Sequence, residues 1–196
     1  MRALATKFRN EWRGRGFLLA ASVLCVTQWL VPDAPARLRY ERGLVAAGEW
    51  WRLASCHLVH YDAQHLAMNV AALALLWALF VTDLRARDWA LVVLAAALAI
   101  DAGLYFRERE VTWYLGLSGV LHGVWAAGGL AALRRSRLEG LATLALLAAK
   151  LLAELRFGAL SSGLGAGLPV LTAAHRYGAL GGGLAALALG RARRPL

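Results

Sequence analysis

The sequence has few cysteines, few prolines and few charged residues. Two cysteines and four prolines occur in 196 residues, and charged residues make up 17% of the chain. A disulfide scaffold is excluded by the cysteine count, and an average soluble domain has about 25% charged residues. The hydrophobic fraction is 60%, which excludes a disordered chain. This composition predicts one compact polytopic membrane bundle, with no room for a second sizeable domain.

Several chemical motifs are also missing. There is no C-x-x-C and no H-E-x-x-H, so neither zinc nor dithiol chemistry is indicated. Cys25 lies in an apolar run and Cys56 in a polar loop, and we do not expect them to form a disulfide. We expect no metal and no cofactor.

The excess of basic residues suggests topology rather than nucleic-acid binding. Lys and Arg number 22 against 12 Asp and Glu, giving a net charge of +10. Most of these cations stand at the ends of apolar runs, where they orient membrane helices. We therefore expect the lipid bilayer as a partner and no nucleic acid.

Six apolar runs divide the chain, and a membrane helix needs roughly 20 such residues. We predict an all-α integral membrane protein in which residues 17–190 form a six-helix bundle. Basic tails are expected at 1–16 and 191–196, and residues 32–63 form the only long loop. The runs are 17–31, 64–82, 89–104, 116–133, 138–155 and 171–190.

The positions of Lys and Arg predict the orientation. Thirteen lie on the side of the two termini and seven on the opposite side, which places both termini in the cytoplasm and loop 32–63 on the outer face. One alternative stays open. Residues 1–36 also resemble a signal peptide that ends in an A-x-A-like site, Ala34-Pro35-Ala36.

The first cluster that could support chemistry opens the fourth run. Ser118 stands between Gly116 and Gly119, so its hydroxyl is accessible and its backbone N–H has no intrahelical acceptor. Such an N–H can stabilise an oxyanion. A helix-packing surface of small residues, or an N-cap serine, explains the same pattern.

The second cluster lies early in the sixth run. His175 could act as a general base there, and Gly178, Gly181 and Gly182 would let its helix approach another backbone closely. An ordinary interfacial histidine is the alternative. Ser118 and His175 each lie within about one turn of the start of a helix that enters from the outer side of the membrane. Their depths in the membrane therefore match, and a hydrogen bond between them is feasible.

The third cluster opens the second run. His65 and Asn69 are at i and i+4 on one helix face, and both can donate hydrogen bonds to an oxyanion. The neighbouring His57 and His60 invite a metal interpretation, but their spacing fits no zinc pattern.

Together these motifs resemble the rhomboid intramembrane serine proteases. The resemblance covers about residues 48–190. Trp51-Arg52 matches the outer-loop Trp-Arg motif. The three clusters match the other family motifs, and along the chain they occur in the family's order. It implies a Ser118–His175 pair with no acidic third member. It also implies an oxyanion site formed by the Ser118 N–H, His65 and Asn69, and membrane-anchored protein substrates.

One departure points to a branch of that family. Many rhomboids carry tyrosine four residues after the nucleophile, packed on the catalytic histidine, whereas this chain has His122. The Ser-x-x-x-His-Gly variant resembles the rhombosortases of Gram-negative bacteria, which remove C-terminal Gly-Gly sorting tails. The resemblance implies the bacterial inner membrane and a site open to the periplasm. His122, Gly116, Gly119, Gly178 and Gly181 would support the site.

Three other functions stay open. The chain could be a general rhomboid protease acting on other transmembrane substrates, or a non-proteolytic binder of membrane clients. A small transporter would predict inverted repeats and a midplane site, and we see neither. Lys150 and Glu154, at i and i+4 on the fifth run, are interpreted as a snorkelling pair. The role of His122, the substrate, the oligomeric state and a possible transfer to an amine are undetermined.

Overall fold

The computed structural model describes residues 2–158 and 170–191, with side chains for 15–158 and 170–190. Most of a Gly- and Ser-rich stretch at 156–169, and the predicted C-terminal tail from 192 onward, lie outside the described residues. The elements are α1 (Arg2–Leu30), α2 (Ala34–Leu38), β1 (Tyr40–Glu41), α3 (Arg42–Ala46), α4 (Arg52–Ser55), α5 (Ala63–Phe80), α6 (Ala86–Phe106), β2 (Trp113–Tyr114), α7 (Ser118–Ala132), α8 (Arg137–Phe157) and α9 (Thr172–Arg191).

Each predicted apolar run coincides with one long helix: α1, α5, α6, α7, α8 or α9. The largest difference is at α1, which begins at Arg2 and so includes the stretch expected to be a tail. Helices α5 and α6 are long and apolar enough to cross a membrane, and residues 15–30 of α1 form a shorter apolar helix. Helix α7 has only 15 residues. The crossing of six helices stays a prediction.

The predicted loop 32–63 is largely structured: it contains α2, β1, α3 and α4. Arg52, which is buried, holds these pieces together. Its guanidinium donates to the Glu49 carboxylate over 2.7 Å and to the Arg39 carbonyl over 2.9 Å. The Trp-Arg motif therefore contributes a buried arginine whose ion pair and hydrogen bonds organise the outer loop.

A two-residue antiparallel ladder connects this loop to the start of α7. Tyr40 pairs with Tyr114 and Glu41 with Trp113, and the Gly116 N–H donates to the Cys56 carbonyl over 2.8 Å. The chain entering α7 is thus held on two sides, which fixes the position of Ser118 at the first turn of that helix.

Helix α7 is the centre of the bundle. Twelve of its 15 residues are buried, and it packs against α5, α6, α8 and α9. The surrounding helices turn leucines outward: Leu75 of α5, Leu98 of α6, Leu152 of α8 and Leu184 of α9 are each 58–64% exposed. An apolar outer surface on four helices around a packed core is typical of a protein surrounded by lipid.

Candidate active site

Ser118 is the first residue of α7 and is partly exposed. Gly116, two residues earlier, has φ +116°, and a Cβ there would meet His65 Cε1 at 2.9 Å. A side chain at position 116 would therefore be strained by its backbone and would collide with the His65 ring. As the first helical residue, Ser118 has a backbone N–H without an intrahelical acceptor. The hydroxyl and the N–H thus both lie at the open end of α7.

His175 reaches Ser118 from α9, as the matched depths predict. Its Nε2 lies 2.9 Å from Ser118 Oγ, a normal hydrogen-bond distance. The imidazole is 4% exposed, so little solvent competes for this contact. The two side chains are 57 residues apart in sequence, and only the packing of α7 against α9 brings them together.

Glycines make that packing close enough. A Cβ at Gly178 of α9 would overlap the Gly119 carbonyl of α7, and a Cβ at Gly182 would overlap the Gly123 carbonyl. Gly181 faces α6 instead, where a Cβ would overlap the Ala95 carbonyl. The prediction that these glycines allow close backbone approach is confirmed.

The structure differs from the expected two-residue arrangement, because an acid contacts His175. Both carboxylate oxygens of Glu154, on α8, lie near His175 Nδ1, at 3.0 Å and 2.9 Å. Lys150 donates to Glu154 Oε1. The i,i+4 pair interpreted as snorkelling therefore points into the bundle and ends on the imidazole. Glu154 is the functional candidate that the sequence analysis missed.

The sequence holds one signal for Glu154: it is a carboxylate inside an apolar run, and acids within membrane helices usually face the bundle interior. The structure shows that it does so here. The buried residues of α8 are Gly140, Leu147 and Glu154, which are spaced by seven and share one helix face.

His122 lies on the other side of the His175 ring. The two imidazoles are stacked, with centroids 4.0 Å apart and an interplanar angle of 12°. His122 Nδ1 lies 2.8 Å from the Ser118 carbonyl oxygen, which requires that Nδ1 carry the hydrogen and donate it. His122 therefore both stacks on the His175 ring and hydrogen-bonds to the backbone of Ser118.

The two oxyanion candidates begin α5. Asp62 caps this helix by accepting from the His65 N–H over 2.7 Å. The Tyr61 backbone N–H donates to His65 Nδ1 over 3.3 Å, so in the neutral ring the hydrogen is on Nε2, which faces Gly116. Asn69 is buried, and its Nδ2 donates to the His65 carbonyl over 2.9 Å, which leaves one amide hydrogen for another acceptor.

The histidines of the outer loop do not gather around one point. His60 packs edge-on against His65, with ring centroids 5.0 Å apart. His57 turns to Asp101 of α6, 3.3 Å away, and donor atoms of Cys56, His57 and Asp101 lie within 4.8 Å of one another.

Two triads of side chains are close enough to share a metal ion. The first is Cys56, His57 and Asp101, and burial raises the pKa of the Cys56 thiol well above its ordinary value, as does the Asp101 charge. A neutral thiol is a poor metal ligand. The second is formed by His122, Glu154 and His175, whose polar atoms already contact Ser118 and one another. Neither arrangement favours a metal.

Taken together, the fold and the site define a helical membrane protein with a serine and a histidine in hydrogen-bond contact at one end of its central helix. The family comparison agrees with this class: a rhomboid domain matches residues 47–192, well over half of the chain. The chain belongs to the rhomboid family, whose members are intramembrane serine proteases. No curated protein gives a significant match.

Proposed function

We propose that this chain is an intramembrane serine endopeptidase in which Ser118 is the nucleophile and His175 the general base. The single observation that carries this proposal is the 2.9 Å contact between Ser118 Oγ and His175 Nε2. In the reaction, Oγ attacks the scissile carbonyl carbon while Nε2 accepts the hydroxyl proton. The same nitrogen then returns that proton to the leaving amine, and a water molecule repeats the cycle on the acyl-enzyme.

The negative oxygen formed in each addition step needs donors that are already in place. We assign this role to the Ser118 backbone N–H, His65 Nε2–H and the free amide hydrogen of Asn69. The assignment is supported by the Tyr61 contact that leaves His65 Nε2 as donor and by the burial of Asn69. Fixed donors in a water-poor site stabilise developing charge strongly.

The substrates are membrane-anchored proteins, and the site faces the outer side of the bilayer. Six crossings, with both termini in the cytoplasm, follow from the basic residues at the ends of the apolar runs. The outward leucines of α5, α6, α8 and α9 support lipid contact on these helices. We place the protein in the inner membrane of a bacterium, with Ser118 opening to the periplasm.

Within the family we propose the rhombosortase branch, which removes C-terminal Gly-Gly sorting tails from exported proteins. The support is His122: it stands four residues after Ser118 and stacks on His175, where many rhomboids have tyrosine. A general rhomboid protease with other transmembrane substrates is the second candidate, since the Ser118–His175 contact serves either substrate class.

The test is cleavage of a co-expressed exported reporter that ends in a Gly-Gly motif, an apolar helix and an Arg-rich tail. Wild type is compared with Ser118→Ala and His175→Ala, and Ser22→Ala, an exposed serine of α1, is the matched control. We expect cleavage by wild type and Ser22→Ala only. Cleavage that persists in Ser118→Ala would overturn the serine mechanism.

A second reporter with Leu-Leu in place of Gly-Gly tests the branch. Cleavage of the Gly-Gly reporter alone supports a rhombosortase. Equal cleavage of both reporters, or cleavage only of an unrelated transmembrane substrate, contradicts that branch and supports a general rhomboid protease.

A further inference from the structure

Glu154 is a carboxylate in an apolar part of the chain. It is 3% exposed and follows Leu151 and Leu152 on α8, while Leu152 and Leu155 face outward. Removing a carboxylate from water is costly unless it is paired and hydrogen-bonded. Its partners in the described residues are the Lys150 ammonium and the His175 imidazole. One of these partners is the base of the proposed reaction.

We propose that Glu154 is a positioning residue that makes the proposed Ser118–His175 pair a three-membered relay. A neutral imidazole carries one hydrogen, on either Nδ1 or Nε2. A carboxylate 2.9 Å from Nδ1 accepts a hydrogen bond there, so the hydrogen stays on Nδ1. Nε2 is then a lone-pair acceptor facing Ser118 Oγ, as a general base requires. This inference rests on the proposed function.

The proton balance needs nothing further. When Oγ bonds to the carbonyl carbon, its proton moves to Nε2 and the ring becomes an imidazolium that donates from both nitrogens. The Glu154 carboxylate stabilises that cation without taking its proton. When the C–N bond breaks, Nε2 gives the proton to the leaving amine, and the ring is neutral again with its hydrogen on Nδ1.

Lys150 engages one of the two carboxylate oxygens that face the imidazole. Its ammonium donates to Oε1, which also lies 3.0 Å from His175 Nδ1, while Oε2 lies 2.9 Å from the same nitrogen. About one third of the Lys150 side chain is exposed, so the cation retains water while its partner is buried. An ammonium can only donate hydrogen bonds, so it favours an oxygen over an NH₂ group at the Oε1 position.

This geometry makes glutamine an informative substitution. In Glu154→Gln, Lys150 would keep the amide oxygen at the Oε1 position and turn the NH₂ group towards His175. At the Oε2 position, 2.9 Å from Nδ1, an NH₂ group competes with the Nδ1 hydrogen and favours the tautomer that carries the hydrogen on Nε2. A ring in that tautomer cannot accept the Ser118 proton. Alanine removes the carboxylate but places no donor beside Nδ1, so the His175 hydrogen can still lie on either Nδ1 or Nε2. A positioning role therefore predicts that Gln is at least as damaging as Ala, although Gln keeps the volume.

A purely structural role predicts the opposite order. If Glu154 only paired Lys150 to stabilise α8 against α9, the isosteric and neutral Gln would be milder than the cavity-forming Ala. The conservative variant separates the roles as well. Glu154→Asp keeps a carboxylate that can accept from His175 Nδ1, so a positioning role predicts that it recovers part of the kcat lost in Glu154→Ala.

The experiment uses the full chain purified in detergent. It measures kcat and KM on a peptide carrying the cleaved Gly-Gly tail, and the rate at which a fluorophosphonate labels Ser118. The variants are Glu154→Gln, Glu154→Ala and Glu154→Asp. Glu139→Gln is the matched control, because Glu139 is an exposed acid near the start of the same helix, and Ser118→Ala is the labelling blank. Thermal melting of each variant reports folding.

We expect kcat to fall by about 10²- to 10⁴-fold in Glu154→Gln, with KM changed less than threefold and labelling slowed in parallel. Glu154→Ala should be no worse than Gln. Glu154→Asp should recover part of the activity, and Glu139→Gln should equal wild type. Should Glu154→Gln fail to melt cooperatively, the comparison of Glu154→Asp with Glu154→Ala decides, since a positioning role predicts a higher kcat for Asp at an unchanged KM.

Two failures are distinguishable. If wild type neither cleaves nor labels, or if Ser118→Ala labels equally, the proposed function itself fails. If wild type is active, Ser118→Ala is inactive and Glu154→Gln keeps kcat within about threefold, only the role of Glu154 is overturned. An order in which Gln is clearly milder than Ala overturns it too.

Discussion

The rings of His122 and His175 lie nearly parallel, 4.0 Å apart at their centroids. Because His122 also contacts the Ser118 carbonyl through Nδ1, it links the helix of the proposed nucleophile to the face of the imidazole. We expect this stack to limit tilting of the His175 ring and so to keep Nε2 directed at Ser118 Oγ.

The first prediction concerns that stack. Ring pairs contribute about 0.5–1.5 kcal/mol beyond their buried area, so His122→Ala should lower kcat/KM by roughly two- to tenfold. His122→Phe keeps an aromatic face and should lose less. The measurement is kcat/KM of both variants on the Gly-Gly peptide. Equal losses in the two variants would show that the Nδ1 hydrogen bond matters more than the ring stack.

The second prediction concerns the glycine contact between α7 and α9. A methyl group at position 178 would overlap the Gly119 carbonyl, whereas one at position 183 would lie 3.8 Å from its nearest neighbour, Ala126 Cβ. Gly178→Ala must push the helices apart and should abolish cleavage and fluorophosphonate labelling. Gly183→Ala, on the same helix, should retain both and so serves as the control. An active Gly178→Ala would mean that the Ser118–His175 contact does not depend on this close approach.

The sequence predicts much of this arrangement. The six apolar runs locate the long helices because the signal is a composition sustained over many residues. Ser118 and His175 could be paired because each stands close to the start of a helix on the same predicted side of the membrane. Both inferences use position along a helix axis, which the run boundaries define.

The features that escaped prediction depend on rotation and on distant pairing. Whether Glu154 faces His175 or lipid depends on how α8 is rotated about its axis. The average hydropathy of an apolar run does not contain this rotation. The pairing of Tyr40 with Tyr114 involves two-residue strands, too short for an alternating pattern. The short helices of the outer loop are held by Arg52 contacts to distant carbonyls, which become visible only in three dimensions.

The third prediction concerns the proposed oxyanion donors. Asn69→Ala should reduce kcat by about 10²- to 10³-fold, the usual loss on removing one such donor, with little change in KM. Gln64→Ala, an exposed residue in the first turn of the same helix, is the control. Since Asn69 also donates to the His65 carbonyl, melting of both variants should be compared. A stable Asn69→Ala protein with wild-type kcat would remove Asn69 from the oxyanion site.

The fourth prediction is a pH dependence of stability that originates at His60, just before α5. Burial, and secondarily the neighbouring His65, lower the pKa of His60 from its ordinary value of 6.5 to about 3. Below pH 6.5 the unfolded chain therefore binds a proton at His60 that the folded protein does not bind until about pH 3. The free energy of unfolding consequently rises with pH between these two values. The free energy of unfolding at pH 5 is lower than at pH 7.5 by about 2 kcal/mol from this one group.

His60→Phe tests this assignment, because both ring nitrogens of His60 are buried without partners in the described residues and an apolar ring of similar shape satisfies the same site. The variant should melt close to wild type at pH 7.5 and above it at pH 5, since it lacks the proton that the unfolded chain gains. Other groups titrate in both proteins, so the decisive quantity is the difference in melting temperature between the two pH values. If wild type and variant lose the same amount on acidification, the folded protein accommodates a protonated His60, and the buried environment of the outer loop does not control its charge.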